Sequence, residues 1–599
     1  MNEDMGKHGI VHSVREQFKT VKHKADVCVV GAGLAGMCAA IAAARRGCSV
    51  VLVHDRPMPG GNCSSEIRMW PLGADGSNPA NLRETGIFEE LLLENMYRNP
   101  TRSFAIWDSV LYGAVRYQSG LKLILNCSVN AARTHGARIV SVSGWQLTTY
   151  FNHEIEANIF IDCSGDSVLA TLSGAKFRRG REAAGEFGES IEPETADSMT
   201  MGNTCLIQAR ETAQDIRYTP ARWAEKIDKS QLEGRGFKPS GLDGNYWWME
   251  LGGERDTISD SEEIRDELIA LSYGVWDYVK NSGDGDASRW ELDWAGYLPG
   301  KRESRRYVGD YILTQNDAQN GTRFYDVVAY GGRSIDDHPP LGFRHRGEPT
   351  VYHKCAAPFS IPYRCLYSEN VQNLMFAGRN ISVTHAAMAA SRVMATCAIL
   401  GQAAGTAAWV AAQNKTDPRG VLDSIELLQQ TLMYDDCWLP GLSRKISGIC
   451  QNAKLTADCE NADILRNGLD RPENGDDNGC FLPLGGSARY VLEKRCHVRA
   501  LRIVFDSDLL RETIKKDYNA GSVTPTVCNR PLEGMSFEFP PTMTREFEIY
   551  IDGELFLRVN ENYKRLVVIP VGRAVSEIEM RPLATYGRQS AHVFSFDFE

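Results

Sequence analysis

Histidine is the side chain whose ordinary pKa lets it trade a proton near neutrality, and two histidines here stand beside other reactive types. His385 closes the run Arg379-Asn380-Ile381-Ser382-Val383-Thr384 and precedes a helical pattern through Ser391, Arg392 and Gly405. A base so placed can take the proton of an alcohol whose carbon gives up a hydride; the same residue can serve as a helix cap. Arg392 can hold a substrate anion or pair with an acid of the fold. His338 follows Asp336 and Asp337 and precedes Pro339-Pro340, a group that can bind sugar hydroxyls, share a proton, or decorate a solvated turn. Lys301, Arg302, Arg305 and Arg306 form a dense basic cluster, suited to a carboxylate, a phosphate or internal ion pairs. Trp247-Trp248 can stack on a sugar ring or fill core. Glu66 and Arg68 are candidates to line a cofactor cavity. The catalytic candidates are therefore His385, Arg392 and His338, with Asp336, Asp337, Trp248 and Arg305 expected at the substrate.

Elements that would position these residues start at Ala25. Ala25 to Val30 reads as a short buried strand, Gly31-Ala32-Gly33-Leu34-Ala35-Gly36 as a glycine turn, and Met37 to Arg46 as a helix ending at Gly47. Ser49 to Val53 reads as a second strand. This is the context in which a GxGxxG pattern binds a dinucleotide. Gly31 makes the turn, Gly33 lets backbone approach a pyrophosphate, and Gly36 lets helix and strand pack closely, with the helix N-terminus facing the anion. Two residues are candidates for the adenosine ribose: Asp55, an acid at about the right distance, and His54, one place earlier where the usual alignment puts the acid, whose neutral ring would accept a ribose hydroxyl. A second glycine pair follows in Arg56-Pro57-Met58-Pro59-Gly60-Gly61-Asn62 and suits a flavin better than a nicotinamide. Further strands at Leu121 to Leu125, at Ile159 to Asp162 before Cys163-Ser164-Gly165-Asp166, and at Asn373 to Phe376 before Gly378-Arg379 read as returns to the same cofactor.

These segments, with Asp55 to Arg68, Asn245 to Gly253, Pro299 to Arg306, Ser334 to Pro340 and Ile361 to Ala407, resemble the bacterial FAD-dependent oxidoreductases of the glutathione-reductase-like flavoprotein superfamily over residues 25–435. The resemblance implies FAD, held non-covalently because Asn62 stands where a flavin-linking histidine would follow Gly60-Gly61. Relatives often have Gly-Asp where this chain has Gly378-Arg379. The expected cofactor residues are Gly31, Gly33, Leu34, Ala35, Gly36, His54, Asp55, Arg56, Gly60, Gly61, Asn62, Ser164, Gly165, Asp166, Gly378 and Arg379.

The expected architecture is α/β: an N-terminal extension at 1–24, a Rossmann-like FAD-binding domain from about 25–175 and 361–415, and an interleaved α+β substrate domain at about 176–360. Asp423 to Met433 reads as an amphipathic helix. Short alternating strands at Val498 to Asp506, Glu546 to Asp552, Arg565 to Val571, Glu577 to Arg581 and His592 to Phe598, with an Asp552-Gly553 hairpin signal, read as a C-terminal all-β sandwich over 448–599. It weakly resembles galactose-binding-like modules. Asn467 to Cys480 reads as a plain polar loop, with calcium binding the other reading.

Lys+Arg 66 against Asp+Glu 77 leaves the 599-residue chain at −11, a field that repels nucleic acid and anionic lipid. The 16 cysteines form no CxxC pair, so the expectation is buried free thiols, no metal site and a cytoplasmic protein; Met1 to Lys24 carries charges throughout and no apolar stretch of the signal-peptide kind. No charge occurs between Arg392 and Lys415, a run rich in small residues that reads as a closely packed core helix. The expected activity is hydride removal from a sugar, glycoside or hydroxy acid. The rivals are reduction of an activated C=C bond, with arginine as proton donor, and a glycan-binding protein with structural flavin.

Overall fold

The computed structural model describes residues 18–74, 82–236, 246–282, 287–509 and 539–599. Most of the expected N-terminal extension, and Asn245, lie outside these residues. Lys19 onward is not loose: strand β1 spans Thr20–Val30 and pairs in parallel with Phe151–Asp162 (β6) from Thr20↔Asn152 to Val30↔Asp162. The register continues the hydrophobic run upstream of Ala25, where His23 and His153 stack on one another.

Around β1 the chain builds a largely parallel sheet. Helix α1 (Leu34–Arg45) carries the chain from β1 to β2 (Val50–Val53), and β3 (Leu121–Ile124) follows beside β2. The antiparallel pair β4 (Cys127–His135) and β5 (Arg138–Gln146) pairs with the start of β6, and Leu374–Phe376 pairs in parallel with its end. The parallel strands therefore deliver three loops, after Val30, Val53 and Asp162, to one edge, where open α/β sheets bind ligands. Gly47 follows α1 with φ 94°, the left-handed conformation glycine tolerates.

The charge-free run is explained by its packing. Helix Met394–Asn414 is long and apolar enough to cross a membrane by composition, and 89% of that window is buried inside the protein. A methyl group on Gly401 would come within 2.0 Å of the Ala35 carbonyl oxygen, and one on Gly405 within 2.1 Å of that of Ala39. The two backbones therefore touch, which requires small residues on both helices. The continuous helix expected from Ala386 through Gly405 is two: His385–Ser391, capped by Thr384, whose Oγ1 accepts from the Ala387 N–H, and Met394–Asn414, with the break at Arg392-Val393.

Two further apolar cores accompany the main one. The first joins Cys205, Met249, Leu268, Trp276 and Phe343 around helix Ser261–Asn281, within the inserted region. The second lies in the C-terminal region, where seven strands among the described residues form one continuous antiparallel sheet. The separate strands expected at Arg565 and Glu577 are one strand, Leu566–Thr585, paired with Ala488–Phe505 through register shifts. Asp552 and Gly553 both have positive φ, 52° and 82°, and close the Thr544–Ile551/Glu554–Val559 hairpin as a two-residue turn.

Charged clamps join this sheet to the rest. Arg502 bridges Asp470 (2.7 Å) and the Met433 and Tyr434 carbonyls, and Arg565 meets Asp436 at 2.9 Å. In the polar loop from Asn467, Asp470 is thus committed, Glu473 accepts from Trp438, and Asp477 lies 3.2 Å from His592. One expectation is corrected here: Cys459 and Cys480 form a disulfide, with Cα atoms 6.4 Å apart. The other described cysteines are free, and all are buried except the partly exposed Cys496.

Candidate functional site

The loops at the C-terminal edge of the parallel strands open onto a cavity of about 570 Å³, within the range of ligand sites. Gly31, Gly33, Leu34, Ala35, His54, Asp55, Arg56, Gly60, Gly61, Asn62, Ser164, Gly165, Asp166, Gly378 and Arg379 all line it. Gly36 does not; a methyl group there would lie 1.8 Å from the Gly31 carbonyl oxygen, so its hydrogen serves turn packing. Gly31 has φ +97°, and a methyl group on it would lie 2.5 Å from the Cys163 carbonyl oxygen, a combination that glycine alone satisfies. Gly33 differs: its φ is −65°, and a methyl group would meet only the Gly61 Cα, at 4.0 Å. Its bareness serves the cavity and not the fold. The Gly60 N–H donates to the Ala32 carbonyl at 2.8 Å, tying the second glycine pair to the first turn.

At one end of the cavity, His54 Nδ1 accepts from the Ala32 N–H at 3.1 Å. Burial lowers its pKa to about 4, so the ring is neutral, its hydrogen sits on Nε2, and that nitrogen can only donate. The expectation that His54 accepts a ribose hydroxyl is corrected on this ground. Asp55, its side chain 61% exposed on the cavity wall, carries the acceptor oxygens of the pair.

Asp166 lies between Lys301 Nζ at 2.7 Å and Arg379 Nη2 at 2.6 Å. Burial favours its neutral form, but the two cations outweigh it and hold the carboxyl below its ordinary range. Arg379 is thereby anchored beneath Gly165, whose missing side chain makes room for the guanidinium.

Beyond this pair the wall is formed by Trp247, Trp248, Arg302, Arg333, Asp336, His338, Tyr352 and Arg392. His338 Nδ1 lies 2.7 Å from Glu250 Oε2 and Nε2 lies 3.3 Å from Asp336 Oδ1. Burial alone would discharge the ring; Glu250 and Asp336 overcome it and the opposing Arg302, and the pKa is raised above 6.5. Asp336 also accepts from Thr350 Oγ1 at 2.6 Å and lies 3.4 Å from Arg392 Nη2. Although burial favours its neutral form, His338 and Arg392 hold it well below the usual carboxylate range. The Trp248 ring stands 6.5 Å from the imidazole. The helix N-terminus that reaches this wall is that of Met394–Asn414, through Val393 and Met394, and not that of the helix after Thr384.

His385 is not on the cavity wall. It is buried, with Nδ1 2.8 Å from Glu303 Oε2, Nε2 3.6 Å from Asp337 Oδ1, and its N–H donated to Glu182. Glu182, Glu189 and Glu192 bring carboxylates within 4.8 Å of one another nearby, and Arg306 bonds both Glu182 and Glu303. Burial opposes charge on the imidazole, but Glu303, Asp337 and Glu192 prevail and raise its pKa to about 10. A ring that keeps its proton at neutral pH and is walled off from the cavity does not serve as its base. Asp337 and Arg305 are also off the wall; Arg305 lies over Phe177. Glu66 and Arg68 are likewise absent from it, and Arg68 is sandwiched by Phe104 and Trp294 while donating to Gln208. His385→Ala is therefore expected to cost stability, by about 3 kcal/mol as for a broken buried ion pair. The folded-state pKa is raised, so this contribution is complete below about 6.5 and fades as pH rises through about 10. Thermal melts at pH 6 and pH 10.5 check this: the gap between wild type and variant should narrow at the higher pH.

Residues that the sequence did not single out are Trp70, Ser128, Arg265, Arg333 and Tyr352, all on the wall. They come from separate segments and carry no motif; only the fold collects them.

The family model described as FAD dependent oxidoreductase matches residues 26–432. No curated protein sequence matches significantly. Among solved structures, a geranylgeranyl bacteriochlorophyll reductase-like protein of Thermoplasma acidophilum is 12% identical, covering 69% of this chain and 86% of its own, with TM-score 0.32. The anhydrotetracycline hydroxylase OxyS of Streptomyces rimosus is 13% identical, covering 67% and 65%, with TM-score 0.31. A family 32 carbohydrate-binding module of Streptococcus pneumoniae EndoD is 13% identical, covering 25% and 97%, with TM-score 0.18.

The residues present fit FAD. Gly33 and Gly61 leave a bare cradle at the start of α1, whose first N–H groups have no partner within the helix. Arg56 Nη1, Arg379 Nε and Arg392 Nε, all on cavity residues, are buried without a hydrogen-bond partner among the described residues, a cost that a polar ligand removes.

Proposed function

The chain belongs to the FAD-dependent oxidoreductase family, and from that premise we propose that it oxidises an alcohol carbon of a sugar or sugar-like hydroxy acid. FAD, when bound, supplies the hydride acceptor. The observation that carries the reading is the juxtaposition of Trp247 and Trp248 with His338 and Asp336 on the wall shared with the glycine cradle. Aromatic faces pack against the C–H face of a sugar, while the imidazole and carboxylate meet its hydroxyls. Arg302, Arg333 and Arg392 on the same wall suit a carboxylate substituent. In this role His338 Nε2 takes the hydroxyl proton, which it does only once its own proton has left, and Asp336 and Glu250 hold the resulting imidazolium.

A second reading, reduction of a carboxylate-conjugated C=C bond, is favoured by one observation: His338, whose pKa Glu250 and Asp336 raise above 6.5, shares its wall with three arginines, an arrangement suited to delivering a proton to an anionic substrate. Anaerobic mixing separates the two. The bound flavin is expected to bleach with at least one of a panel of aldoses, uronic acids and hydroxy acids. Failure with the whole panel, together with rapid reoxidation of dithionite-reduced protein by enoates, would overturn the first reading in favour of the second.

A further inference from the structure

From the cavity mouth an aromatic path leads outward. Tyr297 lines the cavity and is 56% exposed, so it stands at the mouth. Its hydroxyl lies 3.1 Å from that of Tyr273, whose ring meets Trp223 edge-on at 5.1 Å. Trp223 is 55% exposed. Helix Ser261–Asn281 runs beneath: Glu262 is on the cavity wall, and Tyr273, eleven positions later, returns to the same helical face at 100° per residue. The helix rise places them about 16 Å apart, longer than one sugar ring.

The path is built into the fold. The Glu225 N–H donates to the Ala270 carbonyl at 3.0 Å, and the Glu225 carbonyl would lie 2.1 Å from a methyl group on Gly274. The loop carrying Trp223 is thus clamped on the helix where a glycine lets it approach, and this closeness sets the indole over Tyr273. A large exposed aromatic normally loses contact area by staying in water. Here one is held at the surface against Tyr273, whose hydroxyl meets that of the cavity-lining Tyr297.

We propose that Tyr297, Tyr273 and Trp223 form an extended subsite for an oligosaccharide, whose terminal residue enters the cavity and whose following residues lie along this path. The proposal rests on the sugar-oxidation reading and deepens it: the substrate is a saccharide chain and not a free monosaccharide. Stacking faces spaced beyond the cavity supply binding remote from the reacting carbon, of the kind that separates chain from monomer in kcat/KM.

The test uses full-length holoprotein and the probes glucose, maltotriose, cellotriose, galacturonate and trigalacturonate, with flavin reduction as one readout and binding to an array of immobilised oligosaccharides as the other. A trisaccharide is expected to show a KM at least tenfold below that of its monosaccharide. Trp223→Ala should raise KM for the trisaccharide at least tenfold more than for the monosaccharide, and Trp223→Phe should restore most of the loss. Array binding should fall in parallel. If array binding depends on Trp223 while no sugar reduces the flavin, the subsite stands and the oxidation reading falls. The proposal is overturned if no oligosaccharide binds, or if Trp223→Ala leaves array binding and trisaccharide KM at wild-type values.

Discussion

Gly33→Leu yields a folded protein without flavin: this is the largest effect expected of a single substitution. Position 33 has φ −65°, open to any residue, and the nearest atom to an added methyl group is 4.0 Å away. The leucine side chain therefore costs the apoprotein little and fills the cradle opposite Gly61. Purified wild type should be yellow and release FAD, and not FMN, on denaturation without proteolysis. The variant should be colourless, with far-UV circular dichroism matching the wild-type apoprotein. Ligand linkage adds about 2.7 kcal/mol at 100 Kd of a ligand, so added FAD should raise the melting temperature of wild-type apoprotein and leave that of the variant unmoved. Gly31→Leu and Gly36→Leu are a contrast, since their side chains would collide with backbone 2.5 Å and 1.8 Å away and disrupt folding. Flavin retained by a folded Gly33→Leu variant would contradict the assignment of the cradle.

His338→Gln retains FAD and slows flavin reduction by about 10²- to 10⁴-fold, the usual loss for a positioned acid or base. A purely structural role predicts a loss independent of pH; the proposed role does not. Oxidation needs the neutral ring, and the ring's pKa is raised above 6.5 by Glu250 and Asp336 against the cost of burial. Wild-type reduction should therefore rise with pH, with a midpoint above 6.5, and the glutamine variant should lose that rise. Stopped-flow reduction across pH 5.5 to 10 measures both. Reoxidation of the reduced flavin by enoates at a rate that falls with pH through the same midpoint would make His338 a proton donor and favour the C=C reduction reading.

The cofactor half of the cavity was legible in the chain because its residues come as contiguous motifs tied to strand ends. Gly31, Gly33, Gly60, Gly61 and Asp166 each reach the wall by local geometry. Gly36 was legible as a packing glycine for the same reason. The substrate half was not, because its residues depend on how separated segments meet. His385 and His338 look alike in sequence, each beside other polar residues, yet one faces Glu303 in the interior and the other faces Trp248. His385 opens the helix before the break at Arg392-Val393, and it is the residues at the break, Arg392, Val393 and Met394, that line the cavity. The charge-free run gave no sign of that break, since small residues suit both a continuous helix and close packing on α1. Arg305 and Arg302 are three positions apart in one basic cluster, and only the second reaches the wall, as the last residue of the unbroken wall segment Tyr297 to Arg302.

A crystal structure of the holoprotein with a flavin-reducing saccharide tests this site most directly. It is expected to show the FAD pyrophosphate against Gly33 and Gly61, the adenosine ribose at Asp55, and the oxidised hydroxyl within hydrogen-bond reach of His338 Nε2. A pyrophosphate seated elsewhere, or a substrate hydroxyl that contacts neither His338 nor Asp336, would contradict the assignment.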